Sequence, residues 1–233
     1  MTDHALRGRT RYPGLIDDRI IPYRWWLEGD ISPADCVAAY RAKGVSSYTA
    51  SKINLNNSEI NNLVEGSAPS WTSANGWQFS SGKYLMLKGG GEILKPGTII
   101  ARVHHDNSAN YRTILGGSAT DSCLQYRINN DHKQAILKAR LAGVGVSTSA
   151  VPNADKVVAT SYSSVGAYAF YLDGTLDGSG TNNQTISSAS DVVGRNHSTY
   201  TEHFLGYIKA LAIYTIVLTS DQISAVTTAM QAL

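Results

Sequence analysis

The feature that most constrains the fold is a series of short apolar runs that recur along the chain, separated by Gly, Asn, Asp and Ser. Runs of this length, rich in Val, Ile, Tyr and Leu and bounded by turn residues, are typical of β-strands. They cover residues 77–79, 84–87, 98–104, 111–115, 122–128, 134–140, 156–162, 167–172 and 204–217. Because no long helical pattern lies between them, parallel βαβ units are excluded, and the sequence predicts an antiparallel β protein.

Length and charge narrow the class of protein. The 233 residues, 42% hydrophobic and 16% charged, fit one all-β domain with a sizeable core. The longest apolar run, residues 210–213, is far shorter than the ~20 residues of a membrane-spanning helix, so no membrane partner is expected. The 20 Lys and Arg residues are scattered among 18 Asp and Glu residues, and the net charge is +2, so no nucleic-acid partner is expected either.

The first 30 residues lack sustained periodicity and are interpreted as an extended arm. Its arginines, Arg7, Arg9 and Arg11, indicate either an arm that docks on a partner or a solvated tail, and the tail is favoured. Trp25 and Trp26 predict a hydrophobic clasp that fixes the arm to its own domain or to a neighbouring molecule. The arm is expected to serve assembly, with other copies of the chain or with a larger protein assembly, and not folding.

A short helix is predicted after the arm. Ser32 is a suitable N-cap, Pro33 suits the first helical position, Asp35 faces the free backbone N–H groups, and Gly44 ends the segment. The helix is therefore expected over residues 33–42. The chain is divided into an arm and helix, residues 1–45, and a β domain, residues 46–233.

Two local signals mark the second half of the chain. Asp173-Gly174 follows an apolar run and predicts a type I′ hairpin, which needs two residues that tolerate positive φ. Thr219 and Gln222 form a capping-box pattern that predicts a C-terminal helix. The apolar positions of this helix recur at helical spacing and should dock on the sheets: Ile223, Val226, Met230 and Leu233.

The closing segment also resembles a known family. Residues 204–214 (FLGYIKALAIY) and 218–223 (LTSDQI) resemble the last strand and helix of concanavalin A-like, laminin-G-type jelly rolls. Residues 171–174 (YLDG) and 191–194 (DVVG) resemble that family's hairpin and a late strand, and residues 69–71, 75–79 and 83–85 resemble its first strands. The resemblance covers residues 46–233 and implies a two-sheet antiparallel jelly-roll sandwich. With the two predicted helices, the fold class is all-β, with a short N-terminal helix and a C-terminal helix.

Some members of this superfamily are glycosidases, whose retaining reaction uses two carboxylates ~5 Å apart. The family carries them as E-x-D-x-x-E on one strand. In this chain, Glu28-Gly29-Asp30 has the first half of that motif, but Pro33 stands where the second Glu belongs. The remaining glutamates are Glu59, Glu65, Glu92 and Glu202. No enzyme activity is predicted.

Two polar loops, residues 104–110 and 129–132, are expected at one end of the sandwich if the strands between them form a meander. Asp106, Asn107 and Asp131 offer oxygen ligands that suit Ca²⁺, and laminin-G-like domains often hold a calcium ion at a loop rim. The other interpretation, which is favoured, is that the loops are turn tips whose polar residues satisfy turn geometry. Apart from Ca²⁺, no cofactor is expected.

The loop at residues 195–203 offers a candidate glycan site. Exposed aromatic rings stack on sugar faces, and amide or carboxylate groups beside them bind the hydroxyls. Asn196, His197 and Tyr200 are the best such grouping. Trp71 and Trp77 match early strands of the family, and core packing is favoured for both.

The two cysteines, Cys36 and Cys123, form neither a disulfide framework nor a zinc-ligand set. Both are interpreted as small buried hydrophobes. A single bridge between them stays open.

The sequence predicts a non-enzymatic structural or binding module. The favoured interpretation is a virion component, such as a phage capsid decoration or tail-fibre protein, that forms homo-oligomers and also binds surface glycans. The alternative is a lectin-like bacterial adhesin that binds carbohydrate. The expected location is the virion or an extracellular surface; residues 1–11 are polar and lack the apolar segment of a secretory signal, which favours assembly in the cytoplasm.

Overall fold

The computed structural model describes residues 23–88, 97–106, 112–117, 124–138, 142–182, 190–196 and 202–233. Within them the chain forms two antiparallel sheets that pack face to face. In chain order the strands are β1 (Cys36–Arg41), β2 (Leu63–Ser67), β3 (Ser70–Thr72), β4 (Gly76–Phe79), β5 (Tyr84–Leu87), β6 (Gly97–His105), β7 (Arg112–Gly116), β8 (Leu124–Ile128), β9 (Lys133–Lys138), β10 (Ala142–Ala150), β11 (Lys156–Tyr162), β12 (Ala167–Leu172), β13 (Thr175–Thr181), β14 (Val192–Val193) and β15 (Gly206–Tyr214).

The first sheet, sheet A, has the strand order β13-β12-β11-β6-β15-β4-β3, and β1 pairs with β15 as well. The second, sheet B, has the order β10-β9-β8-β7-β14-β5-β2. Neighbouring strands in the sequence are often neighbours in a sheet, as in β7-β8-β9-β10, and every pair is antiparallel. The predicted all-β, two-sheet antiparallel sandwich is confirmed.

The main core lies between the two sheets. Ile99, Ala101 and Val103 enter it from β6 in sheet A, and Tyr126 and Ile128 enter it from β8 in sheet B. The period of two residues follows from the alternation of side chains along a strand. Trp77 is fully buried in this core, and its indole N–H donates to Ser51 Oγ at 2.8 Å, so the predicted packing role of Trp77 is confirmed.

Strand β15 is apolar on both faces because it lies between two cores. Leu211 and Ile213 face the main core, whereas Ala210, Ala212 and Tyr214 face outward into a second cluster, the outer core. Burial on both faces explains why this segment reads as a continuous apolar run instead of an alternating one.

The described residues form two α-helices, the single turn α1 (Tyr48–Ser51) before β2 and the C-terminal α2 (Ser220–Gln231). Helix α2 covers the outer core, and its buried side chains include Ile223, Val226 and Met230. The helix begins at the predicted capping box: the Gln222 backbone N–H donates to Thr219 Oγ1 at 3.2 Å, and the Thr219 N–H donates to Gln222 Oε1 at 3.0 Å. The predicted helix and its docking on the sandwich are confirmed. Of the helices that the structure describes, none is both long and apolar enough to cross a membrane.

Trp25 and Trp26 also belong to the outer core, where each is 1% exposed. They form a 3-10 turn, Trp25–Leu27, and the Tyr214 hydroxyl donates to the Trp26 carbonyl oxygen at 2.8 Å. Of the two alternatives for the clasp, the arm's own domain or a neighbouring molecule, the structure agrees with the first, because both indoles are buried in their own chain. The expectation that Trp25 and Trp26 dock on a partner and that the arm does not serve folding is corrected for this end of the arm. Arg7, Arg9 and Arg11 lie outside the described residues.

The helix predicted over residues 33–42 is wrong beyond its first turn. Ser32 does cap a helical turn, since its Oγ accepts from the Ala34 N–H at 3.2 Å, but this 3-10 turn ends at Asp35. The next residues form β1, which pairs along β15 from Tyr214 to Ala210. Pairing with a central strand outweighs the helix propensity of two alanines. The sandwich thus starts before residue 46.

The turn between β12 and β13 has the predicted chemistry. Asp173 and Gly174 have φ angles of 49° and 81°, the left-handed values that a type I′ hairpin needs at both central positions. The predicted hairpin is confirmed.

Candidate functional site

The outer face of sheet B carries polar side chains that are nonetheless buried. Thr113 on β7 and Arg127 on β8 are paired across the two strands, and Gln125 lies two residues from Arg127 on the same face. Thr113 is 0% exposed, Gln125 2% and Arg127 8%. Burying polar groups costs free energy unless they are hydrogen-bonded, so such a group on an outer face marks a candidate site.

Arg127 is held by a carboxylate that comes from a distant part of the chain. Its Nη1 donates to Glu202 Oε2 at 3.0 Å, and its Nε donates to Asn129 Oδ1 at 2.9 Å. The Asn196 side-chain amide donates to the same Glu202 oxygen at 3.0 Å. We call Arg127, Glu202 and Asn196 the Arg127–Glu202 cluster. Two donors fix the Glu202 carboxylate, whose side chain is 25% exposed and so still reaches solvent.

The segment that follows β14, residues 194–196, passes over the end of β7 and brings this cluster together. The Gly194 N–H donates to the Ile114 carbonyl at 2.9 Å, and the Asn196 N–H donates to the Glu202 carbonyl at 3.1 Å. The crossing needs a glycine at the end of β7, because a Cβ on Gly116 would lie 2.7 Å from the Arg195 carbonyl oxygen. A side chain at this position would therefore push residues 195 and 196 off the sheet.

A flat cationic surface lies beside the cluster. The Arg195 guanidinium carbon is 3.5 Å from the centroid of the Tyr84 ring, a cation–π contact. Arg195 Nε is buried and has no hydrogen-bond partner, and within the described part of the chain no carboxylate forms an ion pair with this guanidinium. The stack on Tyr84 therefore fixes the orientation of a cation whose hydrogen-bonding capacity is not fully used.

The sequence directed attention to this loop but gave Asn196 a different role. Asn196 is 1% exposed and donates to Glu202, so it positions that carboxylate and does not face a sugar. His197 and Tyr200 lie outside the described residues. Arg127 and Tyr84 were missed, because polar or aromatic residues at outward strand positions are ordinary until the register and the crossing segment bring them together.

The described residues of the two loops considered for calcium, 104–106 and 129–132, lie at one end of the sandwich, where the rings of His105 and His132 stack with centroids 5.5 Å apart. Arg112 Nε donates to Asp106 Oδ1 at 2.9 Å, so a guanidinium neutralises this carboxylate. Asp131 Oδ1 accepts from a backbone N–H at 3.3 Å, as in a turn. Among the described residues no group of three His, Cys, Asp or Glu side chains is arranged to hold a metal ion. Asn107 lies outside them, and the Ca²⁺ site stays a prediction.

Cys36 is buried at the start of β1 and carries a free thiol. Burial raises its pKa to about 12, so it stays protonated and unreactive at neutral pH. It packs as a small apolar residue, as predicted, and forms no bridge; Cys123 lies outside the described residues.

The fold and the matched sequence now define the family. Two antiparallel sheets packed face to face, with a closing strand and a C-terminal helix, form a jelly-roll-like lectin sandwich. Residues 79–224, more than half of the chain, match the family model Laminin_G_3, described as the concanavalin A-like lectin/glucanases superfamily. The chain belongs to this superfamily, and the resemblance found in the sequence is confirmed.

Three solved structures illustrate the similarity. Trypanosoma rangeli sialidase, in complex with sialic acid, is 13% identical with a TM-score of 0.61, over 85% of this chain and 33% of that one. The binding domain of botulinum neurotoxin serotype D is 15% identical with a TM-score of 0.62, over 84% of this chain and 52% of that one. Ruminococcus gnavus IT-sialidase CBM40, bound to α2,3-sialyllactose, is 19% identical with a TM-score of 0.56, over 66% of this chain and 96% of that one.

At these identities the structures establish the fold alone. This chain spans about a third of the length of the sialidases that it matches. No curated protein sequence matches it significantly.

Proposed function

We propose that this chain is a glycan-binding module and that it binds sugars on the outer face of sheet B. The observation that carries the proposal is the Arg195–Tyr84 stack beside the Arg127–Glu202 cluster. Saccharide sites combine a flat surface with a few fixed polar groups that bind hydroxyls. The stack supplies the flat surface, and the partly exposed Glu202 supplies an oriented acceptor.

Preorganisation supports a binding role for this face. Glu202 is fixed by two donors and Arg195 by its ring contact, so a ligand would meet side chains whose rotamers are already restricted. Binding then loses less side-chain entropy than it would with mobile side chains. The similar CBM40 structure, a binding module that contains α2,3-sialyllactose, supports the same class of function for this chain.

We further propose that the module does not hydrolyse glycosidic bonds. Hydrolysis uses a proton donor and a second carboxylate placed on either side of the bond. The described carboxylates near basic groups are held in ion pairs at separate places in the fold: Glu202 with Arg127, Glu65 with Lys52, Asp106 with Arg112, Asp155 with Lys209 and Asp173 with Lys156. Glu202 accepts from two donors, an arrangement suited to a hydrogen-bond acceptor and not to a proton donor.

The experiment is a glycan array followed by calorimetric titration of the best ligand. Tyr84→Ala should weaken binding about fivefold or more, because it removes the ring that supports Arg195. Tyr23→Ala is the matched control, since Tyr23 is 59% exposed and lies far from the site in sequence. Equal affinities of wild type and Tyr84→Ala, with both proteins folded, would contradict the proposed face. A reducing-sugar assay on the same ligand tests hydrolysis, and turnover that Glu202→Gln abolishes would make the chain an enzyme.

The virion component, the homo-oligomer and the virion or extracellular location stay predictions. No observation on the described residues favours them over a glycan-binding module. The lectin-like adhesin is the version of the prediction that agrees with the proposal.

A further inference from the structure

A group of basic side chains lies on the outer face of sheet A, on the part of the sheet that α2 does not cover. It comes from three strands and the turn after β1. We call it the sheet A patch: its basic members are Arg41, Lys43, Arg102, His104 and Lys209, and it also includes the neighbouring Tyr207.

Strand register explains why these residues share one face. Ala210 on β15 is the partner of Arg41 on β1 and of Arg102 on β6, so the two arginines flank a small residue. The register of β15 shifts between Ile208 and Ala210. This β-bulge lets Lys209 and Ala210 both point outward, while Ile208 stays in the main core. Bulges re-aim side chains in this way and are frequent beside functional sites.

One carboxylate, that of Asp155, lies among these cations. Lys209 Nζ is 2.7 and 2.6 Å from its two oxygens, and Arg102 Nη2 and His104 Nδ1 are 3.3 and 3.1 Å from them. Arg102 also donates through Nη1 to the Gln231 carbonyl at the end of α2, at 3.0 Å. Asp155 therefore fixes three members of the patch but neutralises only one charge.

The other two cations of the patch, Arg41 and Lys43, form no ion pair within the part of the chain that the structure describes. Arg41 donates through Nε to the Lys43 carbonyl, and among the described residues no carboxylate lies in ion-pair distance of Arg41 or Lys43. Partial burial, together with repulsion from Arg102, Lys209 and Arg41, lowers the pKa of the Lys43 ammonium, and only the charge of Asp155 opposes this. An added anion would relieve this repulsion.

We infer that the sheet A patch binds the sulfate or carboxylate groups of an acidic polysaccharide. Arg41 and Lys43 would contact the anionic groups. Arg102 and Lys209 lie beside them and are fixed in position by Asp155. Tyr207 is partly exposed and packs edge-on against His104, with ring centroids 6.2 Å apart, and the exposed Gln78 is its partner on β4. These two side chains add the aromatic and amide groups that sugar rings use.

The dimensions and charge favour a saccharide over a nucleic acid. The patch runs from Tyr207 to Ala210, about 10 Å along β15 at the usual rise per residue. Over the whole chain, patch included, the charge is nearly balanced, with 20 basic and 18 acidic residues, whereas a nucleic-acid site is typically part of a strongly basic surface. The inference is independent of the proposed site on sheet B, because the two sites lie on opposite faces of the sandwich.

The experiment measures binding of dextran sulfate and oligogalacturonate, with neutral dextran of equal length as the uncharged probe. The double variant Arg41→Gln/Lys43→Gln should bind the acidic probe about fivefold or more weakly than wild type, since two ion contacts from partly exposed cations are lost. Lys88→Gln, an exposed lysine after β5 in sheet B, is the control for net charge and should change the affinity less than twofold. Comparison of the two acidic probes distinguishes sulfate from carboxylate ligands.

A second variant tests the role of Asp155. Among the described residues Asp155 is the one carboxylate within the patch, so Asp155→Asn should raise the affinity for the acidic probe. A merely structural role of Asp155 would lower it. The thermal midpoint of each variant is measured first, so that a change in affinity is read only from folded protein.

The inference is overturned if the double variant binds the acidic probe as tightly as wild type, or if Lys88→Gln weakens binding equally. It is also overturned if neutral dextran binds as tightly as dextran sulfate, or if single-stranded DNA of equal charge binds more tightly through the same residues. Tyr84→Ala should leave dextran sulfate binding unchanged, so failure of the sheet B proposal and failure of this one give different results.

Discussion

The two sheets close their outer faces with different chemistry. On sheet A, Ala210, Ala212 and Tyr214 lie beneath α2 and two tryptophans, which turns half of the face into a second apolar core. On sheet B, Thr113 and Arg127 occupy the corresponding outward positions. Arg127 is satisfied by hydrogen bonds and an ion pair, whereas the buried Thr113 hydroxyl has no hydrogen-bond partner among the described residues. An apolar cover stabilises the fold, whereas a polar outer face fixes side chains that a ligand can bind. The outer strands thus contribute a second core on sheet A and, in the proposed function, the ligand-binding face on sheet B.

The strongest test of this comparison is the outer core. Trp26→Ala should lower the free energy of unfolding by about 3–5 kcal/mol, because it removes a large buried side chain and leaves a cavity. Chemical denaturation measures this change. Tyr23 is exposed and lies just before the turn, so Tyr23→Ala should change the free energy of unfolding by less than about 0.5 kcal/mol. If Trp26→Ala lowered the free energy of unfolding by less than about 1 kcal/mol, the result would contradict the claim that the outer core stabilises the fold.

The Arg127–Glu202 cluster gives the next largest effect. Glu202→Leu leaves a nearly buried guanidinium without its carboxylate and should cost about 1–3 kcal/mol, below the value for a fully buried pair because Glu202 reaches solvent. Glu202→Gln keeps an oxygen acceptor and should cost less. Denaturation of both variants is compared with wild type. Equal losses of stability in the two variants would mean that side-chain packing, and not the charge pair, stabilises this face of sheet B.

A smaller effect tests the contact between β15 and the tryptophan turn. Tyr214→Phe removes the hydroxyl that donates to the Trp26 carbonyl and should cost about 1 kcal/mol. The ring stays, so packing is conserved. Hydrogen exchange of the amides in the turn should increase in the variant, and unchanged exchange would show that the bond does not hold the turn.

Stability at low pH provides the smallest effect. Burial alone would raise the pKa of Asp155. Hydrogen bonds from Lys209 and His104, together with the positive charges of Lys209 and Arg102, outweigh this effect, so the pKa lies below its ordinary value. The folded protein therefore binds this proton more weakly than the unfolded chain does, so the stabilisation is present at neutral pH and is lost as the pH falls below about 4.

Asp155→Asn should accordingly be less stable than wild type at pH 7, by about 1 kcal/mol or less because Asp155 is partly exposed. The difference should shrink as the pH is lowered. Thermal midpoints measured across the acid range check this, and a difference that grows at low pH would contradict the assigned sign.

The sequence predicted the parts of the fold that carry local signals. Strands with alternating apolar residues, the Asp173-Gly174 turn and the capping box at Thr219 were all found where local chemistry determines structure. Strand β13 was missed because Gly and Ser in its sequence carry little apolar surface, and it pairs at an edge of sheet A. Strand β1 was predicted as a helix, because its pairing with β15 is invisible in the local sequence.

The candidate site was predictable only in part. Polar residues in the 195–203 loop drew attention to Asn196, and Glu202 lies in the same loop. Arg127 and Tyr84 come from strands more than forty residues apart in sequence, and only the register of sheet B and the chain crossing at Gly116 bring them beside that loop. Long-range pairing of this kind leaves no mark on a single sequence.

The central claim is that sugars bind on the outer face of sheet B. The most direct measurement is a ¹⁵N chemical-shift titration of the intact chain with the best neutral ligand of the glycan array. The account predicts that the largest shifts occur at the backbone amides of Tyr84, Thr113, Arg127 and Arg195. Shifts confined to sheet A, or to the loops that contain His105 and His132, would contradict it.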